Sequence, residues 1–222
     1  MTYNKLTTQN DLSENPSPRC LCMVVLDTSS SMSGKPIALL NESIKDFLKA
    51  LNEDEVTACS VEVGVITADS SVDEELPITS ALNINGRSSF SAGGMASLGS
   101  AVNLALQKLE DRKEEYKHLG VPYYQPWLII ISDGKPNDNW HAAAAKTKQL
   151  SAQNKLVSLV VGVEGANLAI LNEFSDRPAV KLQGLKFNEF FQWLSASMSR
   201  VSQSASTTTQ VDLPPKDCWA GI

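Results

Sequence analysis

Short apolar runs alternate with amphipathic helical patterns along most of this chain. The runs LCMVVL at residues 21–26, WLIIIS at residues 127–132 and LVSLVVGV at residues 156–163 contain no charged residue, which is typical of strands buried on both faces of a parallel sheet. Apolar residues spaced by three and four positions indicate helices between them, for example over residues 37–51 and 187–201. This alternation predicts an α/β fold with a doubly wound, mostly parallel central sheet and helices on both faces.

Charge and hydropathy exclude several classes of function. The 222-residue chain carries 19 Lys and Arg against 25 Asp and Glu, a formal net charge of −6. A nonspecific nucleic-acid-binding protein needs a basic surface to replace phosphate counterions, so we expect no nucleic-acid partner. No apolar run approaches the roughly 20 residues that cross a bilayer, and residues 1–19 lack the layout of a signal peptide. We therefore expect a soluble, cytoplasmic protein without a membrane partner.

Composition divides the chain into three parts. Residues 1–19 are polar and are expected to form an arm, whereas residues 20–201 contain the strand and helix patterns and are expected to form one domain. Residues 202–222 begin with a Ser/Thr/Gln stretch that offers little to bury, so we expect this tail to be dispensable for folding. Cys218 and Trp219 are the tail residues that could dock on the domain.

The cysteine pattern indicates neither a disulfide framework nor a zinc site. Cys20 and Cys22 alternate along a predicted strand and therefore point to the same face, where neighbours on one strand rarely form a disulfide. A single C-x-C pair without a second Cys or His pair is a weak signal for zinc. We expect free, largely buried thiols, as is usual in a reducing compartment.

Acidic and hydroxyl side chains follow two of the predicted strands. Asp27, Ser29 and Ser31 come after the first strand, and Asp133 comes directly after the strand at residues 127–132. In doubly wound folds the ligand site lies beyond the carboxyl ends of the strands. Two carboxylates and two hydroxyls suit a hard divalent cation that keeps some waters, Mg²⁺ or Mn²⁺. The alternative is that the serines cap a helix and Asp133 opens a turn.

The motif Asp27-x-Ser29-x-Ser31, with Asp133-Gly134 after a later strand, resembles the metal-ion-dependent adhesion site (MIDAS) of von Willebrand factor A (VWA) domains. The resemblance covers about residues 19–201 and implies a Rossmann-like three-layer sandwich. It implies that Asp27, Ser29, Ser31 and Asp133 are metal ligands. It also implies that a protein partner binds through an acidic side chain that fills an open position on the metal.

Three segments are most similar to the bacterial tellurite-resistance TerY group of VWA proteins. They are DTSSSMSGKPI at residues 27–37, ISDGKPND at residues 131–138 and DLPPKDCW at residues 212–219. This finer resemblance implies a bacterial stress or phage-defence setting. It also implies a Ser/Thr kinase-like protein and a metal-dependent (PP2C-type) phosphatase as partners.

One element of the family's metal site is replaced in this chain. The family places a threonine in a loop of the form Gly-Gly-Thr-x-x-Gly, and the corresponding segment here is GGMASLG at residues 93–99. Alignment on Gly99 puts Ala96 at the threonine position, and a methyl group cannot ligate a cation. Ser97 is adjacent, but a shift of one residue at a helix start rotates the side chain by about 100°. The resemblance therefore implies an incomplete site, with metal affinity weakened or absent.

Signatures of enzymes are weak. Gly94 and Gly99 have phosphate-loop spacing, yet Ser100 stands where that chemistry requires lysine, and no Gly-x-Ser-x-Gly motif occurs. His118 and His141 lie in or beside polar helical stretches and are expected at the surface. We therefore expect a non-enzymatic interaction module that recruits a protein partner at a MIDAS-type site. The alternatives are a metal-dependent hydrolase or phosphotransferase, and an inert structural VWA subunit.

Two further side chains are candidates for contacts at the rim of this edge. Lys135, between Asp133 and Pro136, either steers an acidic ligand or is simply solvated. Trp140 either contacts a partner or packs on its own helix.

Overall fold

The computed structural model describes residues 12, 15–84, 89–208 and 211–221. Within these ranges, six strands form one sheet: β1 (Cys20–Asp27), β2 (Val61–Ala68), β3 (Val72–Ser80), β4 (Trp127–Ser132), β5 (Val157–Gly162) and β6 (Val180–Lys181). The helices of the same ranges are α1 (Lys35–Glu53), α2 (Glu55–Ser60), α3 (Leu98–Leu119), α4 (His141–Ala152), α5 (Leu168–Leu171) and α6 (Phe187–Ser202). Short 3₁₀ turns occur at Ser30–Met32, Ala81–Asn83 and Asn172–Phe174.

The sheet has the strand order β3-β2-β1-β4-β5-β6, and every neighbouring pair is parallel except β2 and β3. The register places Asp27 beside Ala68 of β2, and Leu26 beside Ile131 of β4. The carboxyl ends of β1 and β4 are therefore adjacent, at the edge where the sequence places its acidic and hydroxyl residues. Helices cover both faces, which confirms the predicted doubly wound, mostly parallel α/β sheet.

Successive residues of β1 enter two different hydrophobic cores. One face contributes Cys20, Cys22, Val24 and Leu26 to the core that also contains side chains of α1 and α6; the other contributes Leu21, Met23 and Val25 to the core with α3 and α4. Burial on both faces explains why this strand is apolar without interruption. Cys20 and Cys22 share one face, as the alternation predicts, and both are free thiols.

Two elements on the β3 side of the sheet differ from the sequence expectation. The sequence predicts a hydrated loop for the acidic residues 69–75 and a short edge strand for residues 76–79. In the structure β3 already begins at Val72, and Glu74 forms an ion pair of 2.7 Å with Lys108 of α3. An antiparallel edge strand can carry acidic residues because one of its faces meets solvent. The helix α2 was not predicted; Asp54 begins it by accepting a hydrogen bond of 2.8 Å from the Thr57 backbone. The Ser-, Asn- and Gly-rich composition of residues 80–94 predicts a loop; residues 85–88 of this segment lie outside the described residues.

A buried ion cluster lies near the amino end of β2, at the edge of the sheet opposite the motif residues. The Glu62 carboxylate accepts hydrogen bonds of 2.8 Å from both Nε and Nη2 of Arg112, and one of 2.6 Å from the Tyr116 hydroxyl. Arg19 Nε lies 3.5 Å from the same carboxylate. Burial disfavours the guanidinium charge, but the hydrogen bond and charge of Glu62 outweigh it and raise the pKa of Arg112. The cluster fastens α3 and the residue preceding β1 to the sheet.

The end of the tail docks on the domain. Trp219 is fully buried, and the bridge between Leu182 and Ala220 adds the tail to the β6 edge of the sheet. Trp193 of α6 donates its indole N–H to the Pro214 carbonyl at 2.8 Å. These contacts argue against the expectation that the tail is dispensable for folding, because aromatic burial outweighs the polar composition of the residues before it.

The predicted N-terminal arm lies mostly outside the described residues, since residues 1–11, 13 and 14 are not described. At its end, the backbone of Arg19 pairs with the segment before β4 through hydrogen bonds of 2.9 Å to Pro122 and from Tyr124. In the described part of the chain, no helix is long and apolar enough to cross a membrane.

Candidate functional site

Asp27 is the last residue of β1 and its carboxylate is fully buried. Oδ1 accepts a hydrogen bond of 3.0 Å from the Ser29 backbone, and Oδ2 accepts one of 2.6 Å from the Ser132 hydroxyl. Ser132 ends β4, so this side-chain bond joins the carboxyl ends of the two adjacent strands. The carboxylate is consequently held in one orientation at the edge of the sheet.

Ser29 and Ser31 bring two hydroxyl oxygens together in the loop that follows Asp27. The 3₁₀ turn Ser30–Met32 reverses the chain after β1, and the two Oγ atoms lie 3.0 Å apart. Two neighbouring oxygens on an octahedral Mg²⁺, each about 2.1 Å from the ion, are separated by about 3.0 Å. Within the described residues neither hydroxyl caps a helix, because Ser29 makes no side-chain capping bond and α1 begins after Gly34. The capping alternative is therefore wrong for both serines.

Asp133 follows β4 and its side chain is only 5% exposed. Its Oδ1 accepts a hydrogen bond of 3.1 Å from the Lys135 backbone, and its Oδ2 lies 3.2 Å from the Lys135 ammonium. The alternative interpretation, in which Asp133 opens a turn, is thus correct for the local backbone. Gly134 is required in this turn, since its φ is +69° and a Cβ there would lie 2.6 Å from the Asn167 carbonyl oxygen. The sharp turn keeps Asp133 at the strand end beside Ser132.

A third loop, residues 93–97, is hydrogen-bonded to the loop that follows β1. Gly93 N–H donates to the Thr28 carbonyl at 2.9 Å, and the Gly94 carbonyl accepts bonds of 3.1 and 2.9 Å from the backbone and hydroxyl of Ser30. Ala96 is buried, and its carbonyl accepts a bond of 2.8 Å from Asn137 in the loop after β4. The loop that carries the threonine in the family is therefore hydrogen-bonded to the loops that follow β1 and β4. It has a methyl group at the aligned position.

Asp138 was not singled out from the sequence, yet it links two of these loops. Its carboxylate accepts bonds of 3.0 Å from Gly99 N–H, 2.7 Å from Ser100 N–H and 2.8 Å from the Ser100 hydroxyl. A carboxylate at the start of α3 is favourable because it satisfies free N–H groups and complements the helix dipole. Sequence reasoning looks for a cap within a few residues of a helix start, whereas this one lies 38 residues beyond Ser100.

The remaining singled-out residues lie at or near the surface. His118 and His141 are exposed, as expected. Trp140 is half-buried, 5.7 Å from the Phe174 ring and stacked on His141 at 4.0 Å. Gly99 allows the backbone of Trp140 to cross the start of α3, because a Cβ on Gly99 would lie 2.5 Å from the Trp140 Cα. Packing on its own domain is thus the structural role of Trp140.

The chemistry of this edge is that of oxygen donors. In the described part of the chain, no group of three or more His, Cys, Asp or Glu side chains could hold a metal ion. A cation here would rely on two carboxylates, Asp27 and Asp133, together with hydroxyl and water oxygens. Such a set matches a hard, partly hydrated cation and excludes the soft thiolate or imidazole sites of zinc.

A mostly parallel sheet with helices on both faces, and a polar edge at which three hydrogen-bonded loops meet, defines the class of this protein. The family model of the von Willebrand factor type A domain matches residues 23–194. The chain therefore belongs to the von Willebrand factor type A domain family.

Solved structures share the fold at low sequence identity. A hypothetical protein, BatB, from Bacteroides thetaiotaomicron is 20% identical with a TM-score of 0.55, and the match covers 83% of this chain and 100% of that chain. A von Willebrand factor type A protein from Catenulispora acidiphila is 16% identical with a TM-score of 0.61, covering 82% and 43%. The pilus adhesin SpaC from Lactobacillus rhamnosus GG, in an open conformation, is 11% identical with a TM-score of 0.67, covering 82% and 30%. The chain thus spans less than half of the last two. No curated protein matches the chain.

Proposed function

We propose that this chain is a non-enzymatic protein-interaction module with a MIDAS-type centre. Its partner surface is the edge marked by Asp27, Gly94 and Asp133, where the three loops meet. A divalent cation, Mg²⁺ or Mn²⁺, is held there by Asp27, Ser29, Ser31 and Asp133. The observation that carries the proposal is the 3.0 Å separation of the Ser29 and Ser31 hydroxyl oxygens, in the loop whose backbone binds the fully buried Asp27 carboxylate.

The residues present fit a hard cation. Carboxylate and hydroxyl oxygens are the ligands that Mg²⁺ and Mn²⁺ prefer, and each Asp27 oxygen keeps a lone pair beyond the hydrogen bond it accepts. Water can stand where Ala96 provides no oxygen, because Mg²⁺ usually keeps several waters. The bound cation would supply a Lewis-acidic position for a carboxylate of an acidic partner side chain.

The contacts of the two serines favour binding over catalysis. A nucleophilic serine needs a general base within hydrogen-bond reach. Here the Ser29 and Ser31 hydroxyls bond to each other, and among the described residues neither bonds to a histidine. A hydrolase or phosphotransferase therefore has less support than an interaction module.

The biological setting rests on the sequence segments alone. The three segments similar to the TerY group favour a bacterial, cytoplasmic protein of a tellurite-stress or phage-defence system. Its partners would then be a Ser/Thr kinase-like protein and a PP2C-type phosphatase. An acidic side chain on one of them would meet the centre formed by Asp27 and Asp133.

An inert structural subunit is the second candidate, and Ala96 favours it. The buried methyl at the family's threonine position removes one oxygen from the centre. If the remaining donors bind no cation, the chain would keep the VWA fold as a scaffold only.

Capture of candidate partners, with and without chelator, tests the proposal. We expect the tagged full chain to capture the kinase-like protein or the phosphatase in Mg²⁺, and to lose it in EDTA or in Asp133→Asn. Asp111→Asn, an exposed carboxylate on α3, is the matched control and should capture normally. Unchanged capture in EDTA and in Asp133→Asn would favour the scaffold. Hydrolysis of p-nitrophenyl phosphate that is lost in Asp27→Ala would instead establish an enzyme.

A further inference from the structure

We propose that Lys135 is a built-in competitor for the cation at Asp133 and thereby sets the metal affinity of the centre. The inference rests on the proposed function, because it concerns the same centre. It also assigns a role to a lysine that the sequence left open between ligand steering and simple solvation.

The two groups of the pair differ sharply in exposure. The Asp133 side chain is 5% exposed, whereas the Lys135 side chain is 65% exposed and places its ammonium 3.2 Å from Oδ2. Asp133 is fixed from behind as well, because its backbone carbonyl accepts a bond of 2.8 Å from Asn167. The carboxylate is therefore the static partner and the ammonium the movable one. In this arrangement the Lys135 ammonium neutralises the Asp133 carboxylate.

A divalent cation and an ammonium cannot both stay close to one carboxylate. Their mutual repulsion at contact distances exceeds thermal energy several-fold near a protein surface. The flexible four-carbon stem of lysine lets the ammonium swing into solvent. Release of a solvent-exposed ion pair changes an equilibrium constant by about two- to fivefold. The ion pair therefore weakens metal binding at Asp133 by about this two- to fivefold factor. Residual repulsion from the displaced ammonium weakens it further.

The displacement has a consequence for ligand binding. The freed Lys135 ammonium stays on the rim of the centre, since its backbone is held by the turn at Asp133. A carboxylate that approaches the bound cation would meet this ammonium too. An acidic ligand therefore favours the state in which the cation, and not the lysine, is paired with Asp133.

Binding of Mn²⁺ to the full chain tests the inference directly, through the loss of the electron paramagnetic resonance signal of free Mn²⁺. We expect Lys135→Met to bind Mn²⁺ about two- to tenfold more tightly than the unchanged chain, and Lys135→Arg to resemble the unchanged chain. The gain should shrink from 50 to 500 mM KCl because salt screens the competing charge. Lys117→Met is the matched control: Lys117 is half-exposed and paired with Glu114 at the far end of α3, so its removal should not alter the affinity.

Equal or weaker Mn²⁺ binding in Lys135→Met would overturn the inference while leaving the proposed metal centre intact. An equal gain in Lys117→Met would overturn it as well, because net charge alone would then explain the effect. Asp27→Ala serves as the blank. If all variants match this blank, both the inference and the metal centre of the proposed function are wrong. Circular dichroism of each variant verifies that it is folded.

Discussion

Replacement of Trp219 by alanine should destabilise the whole domain, although the residue lies 17 positions beyond the last residue of α6. The indole ring is fully buried, with its centroid 4.9 Å from the Phe190 ring and 5.4 Å from the Trp193 ring. The flanking backbone is paired with the sheet edge, since Gln183 N–H donates to the Trp219 carbonyl at 2.9 Å. Trp219 therefore belongs to the core between α6 and the sheet.

The size of the effect follows from burial and from one unmade hydrogen bond. A buried tryptophan removes about 150–250 Å² from water, worth about 4–6 kcal/mol at 25 cal/mol per Å². Among the described residues the Trp219 Nε1 donor has no hydrogen-bond partner, which costs about 1–3 kcal/mol. We therefore expect Trp219→Ala to lower the free energy of unfolding by about 2–4 kcal/mol, or the Tm by about 5–15 °C in a domain of this size.

Thermal unfolding of the full chain, followed by far-ultraviolet circular dichroism, measures this loss. Cys218→Ala is the matched control, because Cys218 is its exposed neighbour in the same tail and should leave the Tm unchanged. Trp219→Phe keeps an aromatic ring and removes the unpaired donor, so it should cost less than half as much as alanine. A Tm for Trp219→Ala within 2 °C of the unchanged chain would refute the reasoning and restore the view of the tail as an appendage.

Three further predictions concern the centre, the ion cluster and the thiols. Ala96→Thr should tighten Mg²⁺ binding about tenfold, or about 1.4 kcal/mol, in titration calorimetry; Ala96→Val has the same shape without the hydroxyl, and an equal gain there would contradict a ligand role. Glu62→Gln should cost about 3–5 kcal/mol in urea unfolding, because buried Arg112 loses the carboxylate that accepts two of its hydrogen bonds and keeps Glu115 as its charged partner; a loss below 1 kcal/mol would show that the cluster is dispensable. At pH 8, exposed Cys218 should react first with a disulfide reagent, while buried Cys20 stays unreactive until unfolding. Burial raises the pKa of the Cys20 thiol to about 12, so little reactive thiolate forms there. Early reaction of Cys20 would contradict its burial.

The strands that sequence predicted well are those whose pattern is dictated by burial on both faces. The runs at residues 21–26 and 127–132 contain no charged residue because each lies between two helical layers. Only residues 76–79 of the edge strand β3 were predicted, because one side of this strand meets solvent and Pro77 interrupts its alternating pattern. Edge pairing depends on a neighbouring strand rather than on local residues, so no local signal marks where β3 begins.

The grouping of the motif residues was predictable where they follow one strand within a few positions. Asp27, Ser29 and Ser31 are close in sequence, and strand order alone brings Asp133 near them. The contacts that hold these residues were not predictable, because they join distant segments: Ser132 reaches Asp27 across 105 positions, and Asp138 caps a helix that begins long before it. Hydrogen-bond partners at such separations follow from the packed fold and leave no pattern in one chain.

The hydrogen bonds of the motif residues bear on the choice between an interaction module and an inert scaffold. The Asp27 carboxylate accepts hydrogen bonds from the Ser29 backbone and the Ser132 hydroxyl, and the Ser29 and Ser31 hydroxyls are hydrogen-bonded to each other. Each of these groups thus has a protein partner without a cation, so the loops keep their arrangement whether or not a metal binds. Loss of the threonine oxygen at position 96 therefore need not collapse the centre. The two functions differ in metal affinity rather than in fold, and we propose that this affinity depends on the oxygen missing at Ala96 and on the competing charge of Lys135.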